Sequence, residues 1–145
     1  METSIIISQA ETQAHIESCH PVMAQLRPHL SLPEFVACVL RQTHEGYRLI
    51  RAEVAGNVVA VGGCRIMETL ASGRILYVDD LVTDEAWRSQ RVGGALFDWL
   101  VQLARERECR ELNLDSGVQR FDAHRFYLGK RMHITCHHFA MKLQA

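Results

Sequence analysis

Arg88-Ser89-Gln90-Arg91-Val92-Gly93-Gly94-Ala95 lies between two stretches of different period. Before it, Arg74–Thr83 is rich in β-branched and aromatic residues and reads as a strand. After it, Leu96, Trp99, Leu100 and Leu103 recur at helical spacing, in a helix read from about Val92 to Glu108. Two glycines at a helix start leave the backbone N–H groups bare. The helix dipole adds roughly half a positive charge there, and Arg88 and Arg91 add full ones. The turn therefore reads as a site for phosphate or pyrophosphate. It has neither the Gly-Lys-Ser/Thr of a P-loop nor the Gly-x-Gly-x-x-Gly of a dinucleotide fold. The bland alternative is a glycine-rich strand-to-helix turn with solvated arginines.

Working outward, Ile5–Ile7 reads as a buried first strand. Ile16, Cys19, Met23 and Leu26 recur at helical spacing, with a kink or break expected after Cys19, where Pro21 interrupts the pattern, and an end at Arg27–Pro28. Ser31, followed by Glu34, reads as the capping box of a second helix, with Pro33 in its tolerated first turn. Tyr47–Ala55 and Val58–Met67 read as a hairpin about Gly56–Asn57, and Ser72–Gly73 as the turn into Arg74–Thr83. Glu111–Asp115 reads as a short strand, Phe121–Lys130 as a helix and Ile134–Leu143 as a closing strand. The order is β-α-α-β-β-β-α-β-α-β, an α/β chain with a mixed sheet and helices on its faces.

The length of 145 residues, without linker, repeat or low-complexity tract, is that of one domain. Lys+Arg 16 against Asp+Glu 17 gives a net charge of -1, so no basic field draws the chain to nucleic acid. The apolar runs are too short for a bilayer, and Met1–Ile5 lacks the features of a secretion signal, so no membrane partner is expected. Cys19, Cys38, Cys64, Cys109 and Cys136 form an odd, scattered set without a Cys-x-x-Cys pair, which suits a reducing cytoplasm. Cys136-His137-His138 is the one tempting cluster, but neighbouring strand residues point apart, and no metal is assigned.

Gln90-x-x-Gly93-x-Ala95, preceded by Arg88, resembles the acetyl-CoA motif Q/R-x-x-G-x-G/A of the GNAT family of N-acetyltransferases. Ala123-x-x-Phe126-Tyr127 resembles a later helix motif of that family, and the resemblance covers nearly the whole chain. It implies a mixed, mostly antiparallel central sheet with helices on both faces, in one N-acetyltransferase domain over residues 1–145. It further implies that Arg88, Ser89, Gln90, Arg91, Val92, Gly93 and Gly94 cradle the pyrophosphate of acetyl-CoA. Main-chain groups of Leu81, Val82 and Thr83 would pair with the pantetheine arm like an extra strand. Arg120 stands where the family often has Asn, and Arg131-Met132 where it often has Gly-Phe. A homodimer is compatible with the resemblance, though no interface signature is evident.

Acetyl transfer to an amine needs a neutral amine, a stabilised oxyanion and a proton for the leaving thiolate. Asp79 and Asp80 interrupt the apolar run Ile75–Val82, and burying an unpaired carboxylate costs several kcal/mol. Adjacent strand residues face opposite ways, so only one faces a given cleft unless the strand bulges. Resemblance to polyamine-type members points to Asp79 as general base, through water, with Asp80 holding a cationic substrate. The alternative for each is a salt bridge to an arginine. Tyr127, with a phenol pKa near 10, is the candidate acid for the thiolate; the alternative is an amphipathic helix tyrosine. His124 is a second titratable group on the same helix. The expected function is direct acetyl transfer to a primary amine of a small cationic molecule or a protein lysine. A polyamine, an aminoglycoside and an amino acid all fit. The rival is a non-catalytic acyl-CoA-binding sensor or scaffold.

Overall fold

The structure is a computed structural model that describes residues 4–144; the start of the leader reading, at Met1–Thr3, lies outside the described residues. The chain divides into two compact units, Met1–Asn113 and Leu114–Ala145. In the first unit β1 (Ile5–Gln9) leads to α1 (Gln13–Leu26), whose N-cap Thr12 accepts a hydrogen bond from the His15 N–H at 3.2 Å. In α2 (Leu32–Thr43) the expected capping box is present. The Glu34 N–H donates to Ser31 Oγ at 3.3 Å, and the Ser31 N–H donates to the Glu34 carboxylate at 3.1 Å.

Of the two outcomes expected, a kink or a break, the break does not occur: α1 runs through Pro21. Ile16 and Cys19 before the proline and Val22 and Met23 after it are all buried. Burial at roughly 1.5–3 kcal/mol per large apolar side chain outweighs the ~3 kcal/mol cost of an interior proline.

β2 (Arg48–Val54), β3 (Asn57–Thr69), β4 (Gly73–Thr83) and the short β5 (Glu111–Leu114) complete a five-stranded sheet of order β1-β2-β3-β4-β5. The pairs from β1 to β4 are antiparallel. The first hairpin turns at Ala55-Gly56, one residue earlier than the sequence reading, with φ of 50° and 81°. Both central residues in the positive range are what a tight hairpin requires. Between β4 and α3 (Val92–Glu106) the chain makes an unforeseen 3-10 turn at Glu85–Trp87.

Helices cover both faces of the sheet. Val61 joins the core formed with Ile16, Met23, Phe35 and Val39 of α1 and α2. A Cβ on its neighbour Gly62 would stand 3.6 Å from Leu96 and Leu100 of α3. Consecutive strand residues point to opposite faces, so α1 and α2 lie on one side and α3 on the other.

The second unit contains α4 (Phe121–Gly129), starting where the helical spacing predicts. The closing strand expected at Ile134–Leu143 is absent: residues 132–144 form no helix or strand, and Ile134, Phe139, Met141 and Leu143 are exposed. The apolar parity changes within this stretch, from Ile134 and Cys136 to Phe139, Met141 and Leu143, so no single face of a strand would be apolar. Among the described residues no helix is long and apolar enough to cross a membrane.

Candidate active site

Gly63 of β3 pairs with Asp80 of β4, while Cys64 pairs with Val78. Asp79 is therefore the extra residue of a β-bulge. The bulge removes the strict alternation of the strand, and Asp79 and Asp80 line the same cavity of about 490 Å³. Gly63 is needed here for close approach: a Cβ would fall on the ring and hydroxyl of Tyr47. Tyr47 can then reach across and donate its hydroxyl to Asp80 Oδ2 at 2.7 Å.

Both carboxylates are already engaged. Arg27 Nε donates to Asp80 Oδ1 at 2.9 Å, and Arg27 Nη2 donates to the Asp79 carbonyl at 3.2 Å. Arg65 Nε lies 3.1 Å from both Asp79 oxygens, and its Nη2 lies 3.0 Å from Oδ2. Gln42 holds that guanidinium in turn, accepting from Nη2 at 2.9 Å, and the guanidinium carbon lies 5.5 Å from the Tyr47 ring centroid. Burial pushes Asp79 above its ordinary range; Arg65 opposes this, and the neighbouring Asp80 charge adds to it. Burial, reinforced by Asp80, drives the Tyr47 phenol well above its usual value, so Tyr47 is a fixed donor. Met23, Leu30, Phe35 and Val39 form apolar walls from α1, α2 and their connection.

Sequence reasoning anticipates the acidic pair but misses Arg27, Tyr47 and Arg65. The hairpin register holds the signal for Arg65, which pairs with Tyr77 and is therefore diagonal to Asp79. Arg27 and Tyr47 come together only through tertiary packing.

Leu81, Val82 and Thr83 continue β4 beyond the bulge. The Arg110 N–H bonds to the Arg74 carbonyl near the start of β4. A four-residue β5 beginning there spans about 13 Å and does not reach Leu81. β5 therefore does not occupy the edge of β4 at Leu81–Thr83. Asp84 and Gln25 brace the next turn: Gln25 donates to Asp84 Oδ1 at 3.2 Å and accepts from the Glu85 N–H at 3.1 Å.

The chain then reaches Arg88, Ser89, Gln90 and Arg91, all exposed. Ser89 and Arg91 have φ of 67° and 65°, and α3 begins without a side-chain cap. Uncapped N–H groups, two flanking guanidinium groups and an open strand edge fit a pyrophosphate with an extended amide-bearing arm. Val92 is buried, so only its main chain is offered to a ligand. A Cβ on Gly93 would stand 2.8 Å from Thr83 Oγ1, so this glycine is also required where α3 meets β4.

In the second unit Tyr127 is half-buried on α4, its ring edge-on to Phe126 at 5.6 Å. Burial raises its phenol above the usual value, with Arg120 opposing. His124 Nε2 bonds to the Gly117 carbonyl at 2.8 Å, a link that ties the helix to the preceding turn. Burial pushes the Cys19 thiol up to about 11 and the Cys64 thiol up to about 12, which leaves both unreactive near neutral pH.

The Acetyltransferase (GNAT) family model matches residues 10–132. An uncharacterised N-acetyltransferase, YhdJ, of Bacillus subtilis (strain 168) is 31% identical over 130 residues, covering 87% of this chain and 89% of that protein. The aminoglycoside N-acetyltransferase AAC(6')-Iy, solved with CoA, superposes with a TM-score of 0.86 at 14% identity, over 100% of this chain and 98% of that one. A transcriptional regulator from Bacillus halodurans C-125 superposes with a TM-score of 0.82 at 22% identity, over 97% of this chain and 100% of that one. At these identities the two structures speak for the fold alone. The family match over most of the length and the curated relative go further: the chain belongs to the GNAT family, as an acetyltransferase with acetyl-CoA as co-substrate.

Proposed function

We propose that this chain transfers the acetyl group directly to a primary amine, of a small molecule or a protein lysine, as one cytoplasmic domain spanning residues 1–145. The observation that carries this reading is the bulge at Asp79, which turns two adjacent carboxylates toward one cavity. Asp80 receives the incoming ammonium on the lone pairs that Arg27 and Tyr47 leave free. Asp79 removes the amine proton through a water molecule. Acetyl-CoA supplies the activated acyl group. The main chain of Leu81, Val82 and Thr83 aligns the pantetheine arm, and Arg88, Ser89, Gln90, Arg91, Val92, Gly93 and Gly94 hold the pyrophosphate.

As the new C–N bond forms and the C–S bond breaks, Tyr127 gives its proton to the departing sulfur. A phenol is protonated at neutral pH, and burial raises Tyr127 further, so its proton is in place when the thiolate leaves. The odd, scattered set of five cysteines accords with a reducing compartment, and no covalent enzyme intermediate is required.

The test is Tyr127→Phe, which preserves the ring. Single-turnover transfer should slow by about 10²–10⁴-fold, the usual contribution of general acid catalysis. Coenzyme A affinity, titrated on the same preparation, should be retained. Unchanged chemistry removes Tyr127 from the mechanism, and lost affinity recasts it as a binding residue.

A further inference from the structure

The cavity beside the bulge carries two carboxylates, and both have cationic partners before any acceptor arrives. Arg65 grips Asp79 through three contacts of 3.0–3.1 Å. Arg27 and Tyr47 take one oxygen each of Asp80. The side chains of Asp79, Asp80 and Arg65 are 24%, 15% and 23% exposed, whereas Arg27 is 41% exposed, so both carboxylates are shielded and Arg27 meets water on its outer side. Asp79 and Asp80 are the only acidic groups among the residues that line the cavity, which also include Arg27 and His29. Counting Arg65 with Asp79, the charges cancel. Met23, Leu30, Phe35 and Val39 line the cavity with apolar surface, beside the polar Gln42 and Tyr77.

We infer that the acceptor is a small primary monoamine carried on an apolar alkyl or aryl body, not a polyamine or an aminoglycoside. This rests on the acceptor reading of the cavity given above. One ammonium is accommodated, because Asp80 keeps lone pairs for it and Asp79 takes up its proton. A second ammonium finds no free carboxylate. It must displace Arg27 or Arg65, leaving a guanidinium unpaired, or enter the rest of the cavity, where no further carboxylate offers a counter-charge. Each course incurs the desolvation cost of an unsatisfied charge. The apolar body of a monoamine meets no such cost and gains from burial. The ion pairs around the acidic couple thus act as a charge filter, and Arg27 is its specificity-determining residue.

The experiment compares hexylamine with hexamethylenediamine, matched in length, alongside phenethylamine, spermidine and neamine, with thiol release as the readout. For the wild-type protein, kcat/KM should favour hexylamine over the diamine by about tenfold or more, with phenethylamine accepted and spermidine and neamine poor. Arg27→Met frees an oxygen of Asp80 and should move the diamine-to-hexylamine ratio about tenfold toward the diamine. Arg27→Gln, which keeps a donor without the charge, should move it in the same direction. A wild-type preference for spermidine, neamine or the diamine overturns the inference and leaves Asp79 as base intact. A ratio unmoved in both variants, with circular dichroism unchanged, overturns it as well. Absence of transfer to every amine overturns the acceptor reading of the cavity and this inference together.

Discussion

At the bulge of β4 every carboxylate oxygen of Asp79 and Asp80 has a donor in place, whereas at the start of α3 the backbone N–H groups have no side-chain cap. The first region is satisfied before any ligand binds, so its geometry is fixed by the protein. The second has no side-chain cap and holds two non-glycine residues, Ser89 and Arg91, at positive φ. Such conformations cost roughly 1–2 kcal/mol each. Groups that orient a proton transfer benefit from rigid partners. A turn that receives a polyanion benefits from donors kept free for it. The contrast predicts that substitutions at the bulge act on rate and pH dependence, and that substitutions at the turn act on affinity.

The largest effect is expected at Asp79. Asp79→Asn removes the proposed base and should lower kcat/KM by about 10²–10⁴-fold at low pH, where the free amine is protonated. The deficit should narrow as rising pH deprotonates the amine in solution. In the wild type the acid limb should lie above the ordinary carboxylate range, because burial raises Asp79 against the pull of Arg65. Wild-type kinetics in the variant across the pH range would reduce Asp79 to a structural partner of Arg65.

A smaller effect, on stability, is expected at Arg65. Arg65→Met leaves a half-buried carboxylate without its counter-charge and should cost about 2 kcal/mol at neutral pH, less than a fully buried pair would. Asp79 is raised in the folded state, so the native protein holds this proton more tightly than the unfolded chain does. Its contribution to stability is full below the unfolded pKa and falls as pH rises through the folded value. Removing Arg65 raises Asp79 further, so the variant's deficit should grow across that window and be small below it. Chemical denaturation at acidic and neutral pH measures this. A deficit that does not depend on pH would show that Arg65 stabilises by packing.

The sequence made the strands, the capping box at Ser31 and the start of α3 legible, because each is set by local periodicity or a local cap. It suggested Asp79 and Asp80, since carboxylates in an apolar strand require explanation. It did not reveal that a bulge would bring them to one side, because a one-residue register shift against β3 leaves the spacing within β4 unchanged. Arg27 and Tyr47 were illegible for a different reason: they meet Asp80 from α1's end and from the approach to β2, contacts between residues far apart in sequence. The strand expected at Ile134–Leu143 fails for another reason: its apolar residues change parity, which β-propensity summed over a segment does not register.

The smallest effect is expected at Arg91, and it is expected to change sign on ligation. Arg91 holds φ at 65° ahead of α3. Arg91→Gly relieves about 1–2 kcal/mol of left-handed strain and loses roughly 0.5–1 kcal/mol through the greater freedom of glycine in the unfolded chain. The net gain, about 0.5 kcal/mol, should raise Tm by about 1–2 °C for a chain of this size. The same change removes a guanidinium from the proposed pyrophosphate cradle, and a loss of about 1 kcal/mol would weaken coenzyme A about fivefold. By mass action the Tm increment from saturating coenzyme A should then shrink. Arg91→Lys keeps the charge and the backbone strain, so it separates the two contributions: its free Tm should match the wild type. A ligand-free Arg91→Gly protein that melts lower would refute stored strain at this turn, and unchanged coenzyme A affinity would take Arg91 out of the cradle.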